Sequence, residues 1–155
     1  MDDPFRRPTV TPALFYRDGF AALDFLEAAF GFDRAMVITD ADGNLAHAEM
    51  RVGRDGRVMI GGEWADHTAS PASLGGRTSQ SVHVLLDGGL DAHCARARAA
   101  GATILREPTD EFYGDRTYQA RDPEGHVWAF AEIGRVVSRE DAEAASGLKI
   151  DGWHG

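Results

Sequence analysis

One cysteine, Cys94, stands among the 155 residues. No disulfide can close within the chain, so packing and hydrogen bonds must hold the fold. No run of about 18 apolar residues occurs anywhere, which excludes a membrane-spanning helix. The opening MDDPFRRPTV lacks the apolar h-region of a secretory leader, and a cytoplasmic protein is expected. Basic residues are in the minority, 16 Lys+Arg against 25 Asp+Glu, for a formal charge of −9. That balance leaves little room for a basic face and argues against a nucleic-acid partner. What is abundant is apolar side chain, 43% of the residues, enough for one sizeable core.

Taken in order, residues 1–9 with their two prolines read as a loose arm. Val10 to Arg17 predicts a strand, which Pro12 confines to an edge or to its first residues. Asp18 can cap a helix from Phe20 to Phe30, where Phe20, Leu23, Leu26 and Phe30 recur at helical spacing, and Gly31 ends it. Strands follow over Arg34 to Thr39, Leu45 to Val52 and Arg57 to Ile60, joined through Asp-Gly turns. Gly61 to Gln80, rich in small and polar residues, reads as a linker or mobile loop in which Trp64 and His67 could form a lid.

After that divide the order returns. Ser81 to Asp87 reads as a strand, Leu90 to Ala100 as a helix ended by Gly101, and Thr103 to Glu107 as another strand. Arg116 to Arg121 and His126 to Ile133 form a hairpin about Asp122-Pro123-Glu124-Gly125, whose residues suit successive positions of a type I turn. Each half is βαβββ, an internal repeat of organisation. Ser138-Arg139-Glu140-Asp141 starts a short helix to Ser146, and beyond it comes a tail bearing Leu148, Ile150 and Trp153. That tail is expected to dock on a partner or to close one end of a cavity.

Two βαβββ modules, a first helix ending in AFGF and a closing DPEGHVW resemble the vicinal oxygen chelate superfamily, the glyoxalase, bleomycin-resistance and dioxygenase group. The resemblance implies an α+β fold over residues 10–133, with modules 10–62 and 80–133 forming a curled eight-stranded mixed sheet around a cavity, helices outside, and residues 134–155 as an appended helix and tail. It also implies a homodimer. The family's enzymes hold a divalent metal with His or Glu from the first, fourth, fifth and eighth strands. Those positions fall near Thr11, Ile60 or Gly61, Ser81 and Ala129, none of them a usual ligand, so no metal and no other cofactor is expected. A two-residue slip would bring in His83, and a three-residue slip Glu132.

Strand parity then predicts the cavity wall. If Ala129 points inward so does Val127, Ser81 brings His83 and Leu85, and Thr11 brings Ala13 and Phe15. Trp128 and Phe130 pack beneath the helices. Arg116 could clamp an anionic group on a ligand or pair with Asp115 or Asp110, and Tyr118 and Tyr113 could stack on a flat molecule. His47 and Glu49 share a strand face, more simply solvated than paired for metal or acid-base work. Cys94 is most simply core. The expected function is metal-free binding of a small, partly apolar or aromatic molecule, a sequestration or resistance role. The alternatives are a metal-dependent lyase, isomerase or dioxygenase, or a metal-independent acid-base enzyme with His83 as the catalytic residue.

Overall fold

The structure, a computed structural model, describes residues 6–153. Most of the expected arm, Met1 to Phe5, and the last two residues of the tail lie outside the described residues. The first module runs β1 (Ala13–Phe15), α1 (Gly19–Phe30), β2 (Asp33–Thr39), β3 (Leu45–Val52) and β4 (Gly56–Gly61). The second runs β5 (Ser81–Leu85), α2 (Leu90–Ala99), β6 (Thr103–Asp110), β7 (Asp115–Arg121) and β8 (Val127–Ile133), and α3 (Arg139–Ser146) follows. Each module makes a four-stranded mixed sheet, in the orders β1-β4-β3-β2 and β5-β8-β7-β6, with the first strand parallel to the last. This is the expected α+β class. The two sheets do not close into a barrel.

Local chemistry accounts for the element ends. The Asp18 side chain accepts the Ala21 N–H at the start of α1, and Gly31 ends it in the left-handed region with φ of 71°. Ser138 does the same for α3 by accepting the Asp141 N–H. α2 begins without a side-chain cap of its own, and Glu132 of β8 supplies one across the fold, its Oε2 accepting the Leu90 N–H at 2.9 Å. Glu132 is therefore committed to a helix end. The Gly61 to Gln80 segment is more ordered than a linker: it contains a 3-10 turn, Pro71–Leu74, capped by the Ser70 side chain.

The two modules share one core. Phe30 of α1 packs against Phe130 and Trp128 of β8, with ring centroids 4.8 and 5.6 Å apart. Phe30, Trp128 and Phe130 are all buried, each contributing about 1.5 to 3 kcal/mol through apolar burial. Cys94 lies in the same core, where burial pushes its thiol pKa up, and an inert packing residue results.

The β7–β8 turn clasps the modules together. Asp122 Oδ1 accepts the backbone N–H groups of Glu124, Gly125 and His126, at 3.2, 3.0 and 2.9 Å. Its Oδ2 accepts the Tyr16 O–H at 2.6 Å and the Trp128 indole N–H at 3.2 Å. Burial first, and Asp122 second, hold the Tyr16 pKa well above its ordinary value, so the phenol stays a donor. Glu124 accepts the N–H groups of Arg17 and Asp18 and the Ser70 hydroxyl, and His126 donates from Nε2 to the Phe15 carbonyl at 2.7 Å. Gly125 is required here: at φ of 105° a Cβ would come within 2.9 Å of Pro71.

The tail folds onto its own chain. The Trp153 indole donates to the Val137 carbonyl at 3.1 Å, and the Ile150 N–H donates to Glu143 of α3 at 2.7 Å. Leu148 remains exposed.

Candidate functional site

Register shows which residues share the sheet faces that point away from the helices. Ala13 and Phe15 pair with Met59 and Gly61, Ser81 with Val127, and His83 with Ala129. Trp128 and Phe130 alternate to the helix side and are buried. These residues do not converge on one pocket. His83 and Leu85, with Val10 and Pro12, line a cavity of about 430 Å³ where the β3–β4 turn meets β5. Ala13 and Phe15, with His67, Leu74 and His126, line a second cavity of about 340 Å³ under the ordered loop. Thr11, Ser81, Val127 and Ala129 line neither. The reason is topological: β1 and β5 are edge strands of separate sheets, so their equivalent faces open at different places along the seam.

Two expected ligand contacts lie on the other side. Arg116 pairs with Asp91 at 3.0 Å and with Asp110 at 2.9 Å, and these hydrogen bonds raise its pKa further. It ties β7 to the start of α2 and is not a free clamp. Tyr118 is fully buried, stacks on Phe130 with ring centroids 5.1 Å apart, and donates its O–H to His93 Nδ1 at 2.6 Å. His93 in turn donates from Nε2 to the Phe30 carbonyl at 3.0 Å. Burial raises the Tyr118 pKa and lowers that of His93, which keeps the imidazole neutral and in one tautomer. Because Tyr118 pairs with Phe130 across the ladder, it shares that residue's face. Tyr113 lies outside the strand beside Phe112, and Trp64 packs edge-on to His67 in the loop.

Each module also carries a buried carboxylate. Glu49 is only 8% exposed, and its two oxygens meet Arg57 at 2.8 Å and His47 Nε2 at 3.4 Å. The solvated face expected for His47 and Glu49 is corrected here for Glu49, while His47 stays half-exposed. Arg57, diagonal to Glu49 on β4, supplies the partner, a cross-strand neighbour that one strand read alone does not reveal. In the second module Glu111, just past the end of β6, accepts the Thr117 hydroxyl at 2.6 Å and pairs with Arg106 at 2.6 Å.

The positions at which related enzymes hold a metal do not fit one. Ile60 is fully buried in the core, Gly61 carries no side chain, and Thr11, Ser81 and Ala129 offer two hydroxyls and a methyl. Among the described residues no group of three or more His, Cys, Asp or Glu is arranged to hold an ion. Nor is any helix among them long and apolar enough to cross a membrane.

Comparison with known proteins places this geometry. The family described as Glyoxalase/Bleomycin resistance protein/Dioxygenase superfamily matches residues 9–130. An uncharacterized protein of Mycobacterium bovis is 32% identical over 152 residues, covering 94% of this chain and 96% of the relative. TioX from Micromonospora sp. ML1 is similar in structure, with 35% identity, a TM-score of 0.66, and coverage of 81% of this chain and 98% of TioX. A superfamily member from Sphaerobacter thermophilus shares the fold at 19% identity and a TM-score of 0.63, covering 81% of this chain and 98% of its own. With the paired βαβββ modules, the matched span and these relatives together, the chain belongs to the glyoxalase/bleomycin resistance protein/dioxygenase superfamily.

Proposed function

We propose that this protein binds a small, partly apolar or aromatic molecule without a metal, in a sequestering role and as a homodimer. The observation that carries the reading is the 430 Å³ cavity at the seam, in which one imidazole, His83, stands among Val10, Pro12 and Leu85. Arg54, Asp55, Arg57 and Asp87 also line it, so the cavity joins apolar area to a few polar and charged groups, the make-up of a small-molecule binding site. Leu85 is 53% exposed, and covering it with a ligand recovers hydrophobic free energy at about 25 cal/mol per Å². Ala13 and Phe15 belong to the proposal through the second cavity, and Thr11, Ser81, Val127 and Ala129 through the sheet faces that a second copy would complete. Exposed Met36, Ile38 and Ile133 suit such a copy.

The test uses phenylnaphthylamine, a neutral fluorescent aromatic. Saturable binding at one site per chain is expected, and His83→Ala should weaken it about tenfold, or 1.4 kcal/mol. The protein is also dialysed after exposure to Ni²⁺, Zn²⁺, Fe²⁺ or Mn²⁺ and analysed for bound element. Stoichiometric retention of any of them would overturn the metal-free reading.

A further inference from the structure

We infer that the binding groove extends past the apolar seam into an oxyanion site, so that the preferred ligand is an amphipathic organic anion: an apolar or aromatic body carrying a carboxylate, sulfonate or phosphate. This rests on the seam cavity being the binding site. Residues 53–57 line the seam cavity and also another, larger cavity of about 790 Å³ beside it. Five arginines line it: Arg6, Arg7, Arg51, Arg54 and Arg57. In a chain of net charge −9 with only 16 Lys+Arg, that gathering runs against the global charge.

The carboxylates near these arginines do not use up their donors. Asp55 shares the wall, Arg57 is held by Glu49, and Arg54 pairs with Asp87. The Arg54–Asp87 pair has both side chains more than 70% exposed, so water and salt screen it and an incoming oxyanion can replace Asp87 at small cost. Each guanidinium has five N–H donors in a planar fork, leaving several of them for a second acceptor. Arg57 is the fixed member, oriented by Glu49 on a sheet, while Arg6, Arg7, Arg51 and Arg54 are exposed around it. Arg54 and Arg57 line both spaces, which puts the charged end of a ligand beside its apolar body over Leu85 and Pro12.

The experiment compares two dyes with one aromatic body, anilinonaphthalene sulfonate and neutral phenylnaphthylamine, on the intact protein at low and high salt. The sulfonate is expected to bind about tenfold tighter at low salt and to lose that advantage at high salt, although net repulsion from the chain would produce the opposite salt trend. Arg51→Gln, and separately Arg6→Gln with Arg7→Gln, should each weaken the sulfonate severalfold and leave the neutral dye unchanged, since none of the three lines the seam cavity. All three side chains are exposed, and a thermal melt checks each fold. If a variant does not fold, the salt dependence of the unaltered protein decides. Equal binding of both dyes, or a sulfonate affinity indifferent to these substitutions, overturns the oxyanion site and leaves the apolar seam standing. Binding of neither dye overturns both.

Discussion

Two turns in this chain begin with aspartate and are built by the same local chemistry. In the β2–β3 turn, Asp40 Oδ1 accepts the N–H groups of Asp42 and Asn44, each at 2.9 Å. In the β7–β8 turn, Asp122 Oδ1 accepts those of Glu124, Gly125 and His126. There the likeness ends. Asp40 is exposed, its carboxyl held below the usual range chiefly by the Asn44 backbone N–H, and it organises only its own loop. Asp122 is buried, and its second oxygen reaches Tyr16, 106 residues away in the other module. A turn thus acquires a global role when its remaining acceptor faces the seam between modules rather than water.

Substitution should expose that difference most strongly at Asp122. Asp122→Ala leaves Tyr16 and the Trp128 indole without their acceptor inside the core and is expected to cost about 3 kcal/mol or more, a fall in Tm of roughly 6 to 12 °C. Asp40→Ala should move Tm by no more than a degree or two, since water replaces every bond lost. Thermal melts of the two variants side by side check this, and equal shifts would dismiss the idea of a clasp.

A pH series sharpens the same contrast. His93 spans the modules from Tyr118 to the Phe30 carbonyl, and burial holds its pKa below 6.5, with the nearby Arg96 pushing the same way. A depressed folded pKa means that the unfolded chain binds the proton first. The stability this neutral imidazole contributes is therefore complete above about 6.5 and is lost as pH falls through that value towards the lower folded pKa. Urea unfolding at pH 7.5 and 5.5 should show the decline. His93→Gln, less stable at neutral pH, should largely remove the slope, whereas an unchanged slope would assign it to other groups.

A small effect is also expected at the periphery. Removing residues 148–155 deletes Trp153 and Ile150, whose bonds run only to the α3 segment, so Tm should change by a few degrees at most and the mass by light scattering not at all. A fall in mass would mean that the tail joins two copies.

Much of this protein was legible in its residues because the signals are local. Asp18 and Ser138 announce helix starts, Gly31 and Gly147 helix ends, and β3 appears over Leu45–Val52 as its alternation predicts. Parity correctly set Ala129 and Val127 opposite Trp128 and Phe130, because side chains in a strand alternate whatever the tertiary fold. The positions that escaped depend on two sheets whose relative placement no window of residues contains. Glu49 read as solvated until Arg57 met it from the neighbouring strand, and Tyr118 as a ligand contact until His93 reached it from α2. One expected pocket became two because β1 and β5 edge separate sheets. Periodicity and capping act over a few residues, and the sequence alone determines them; burial, ion pairing and cavity shape depend on which distant surfaces meet, and only the tertiary structure decides that.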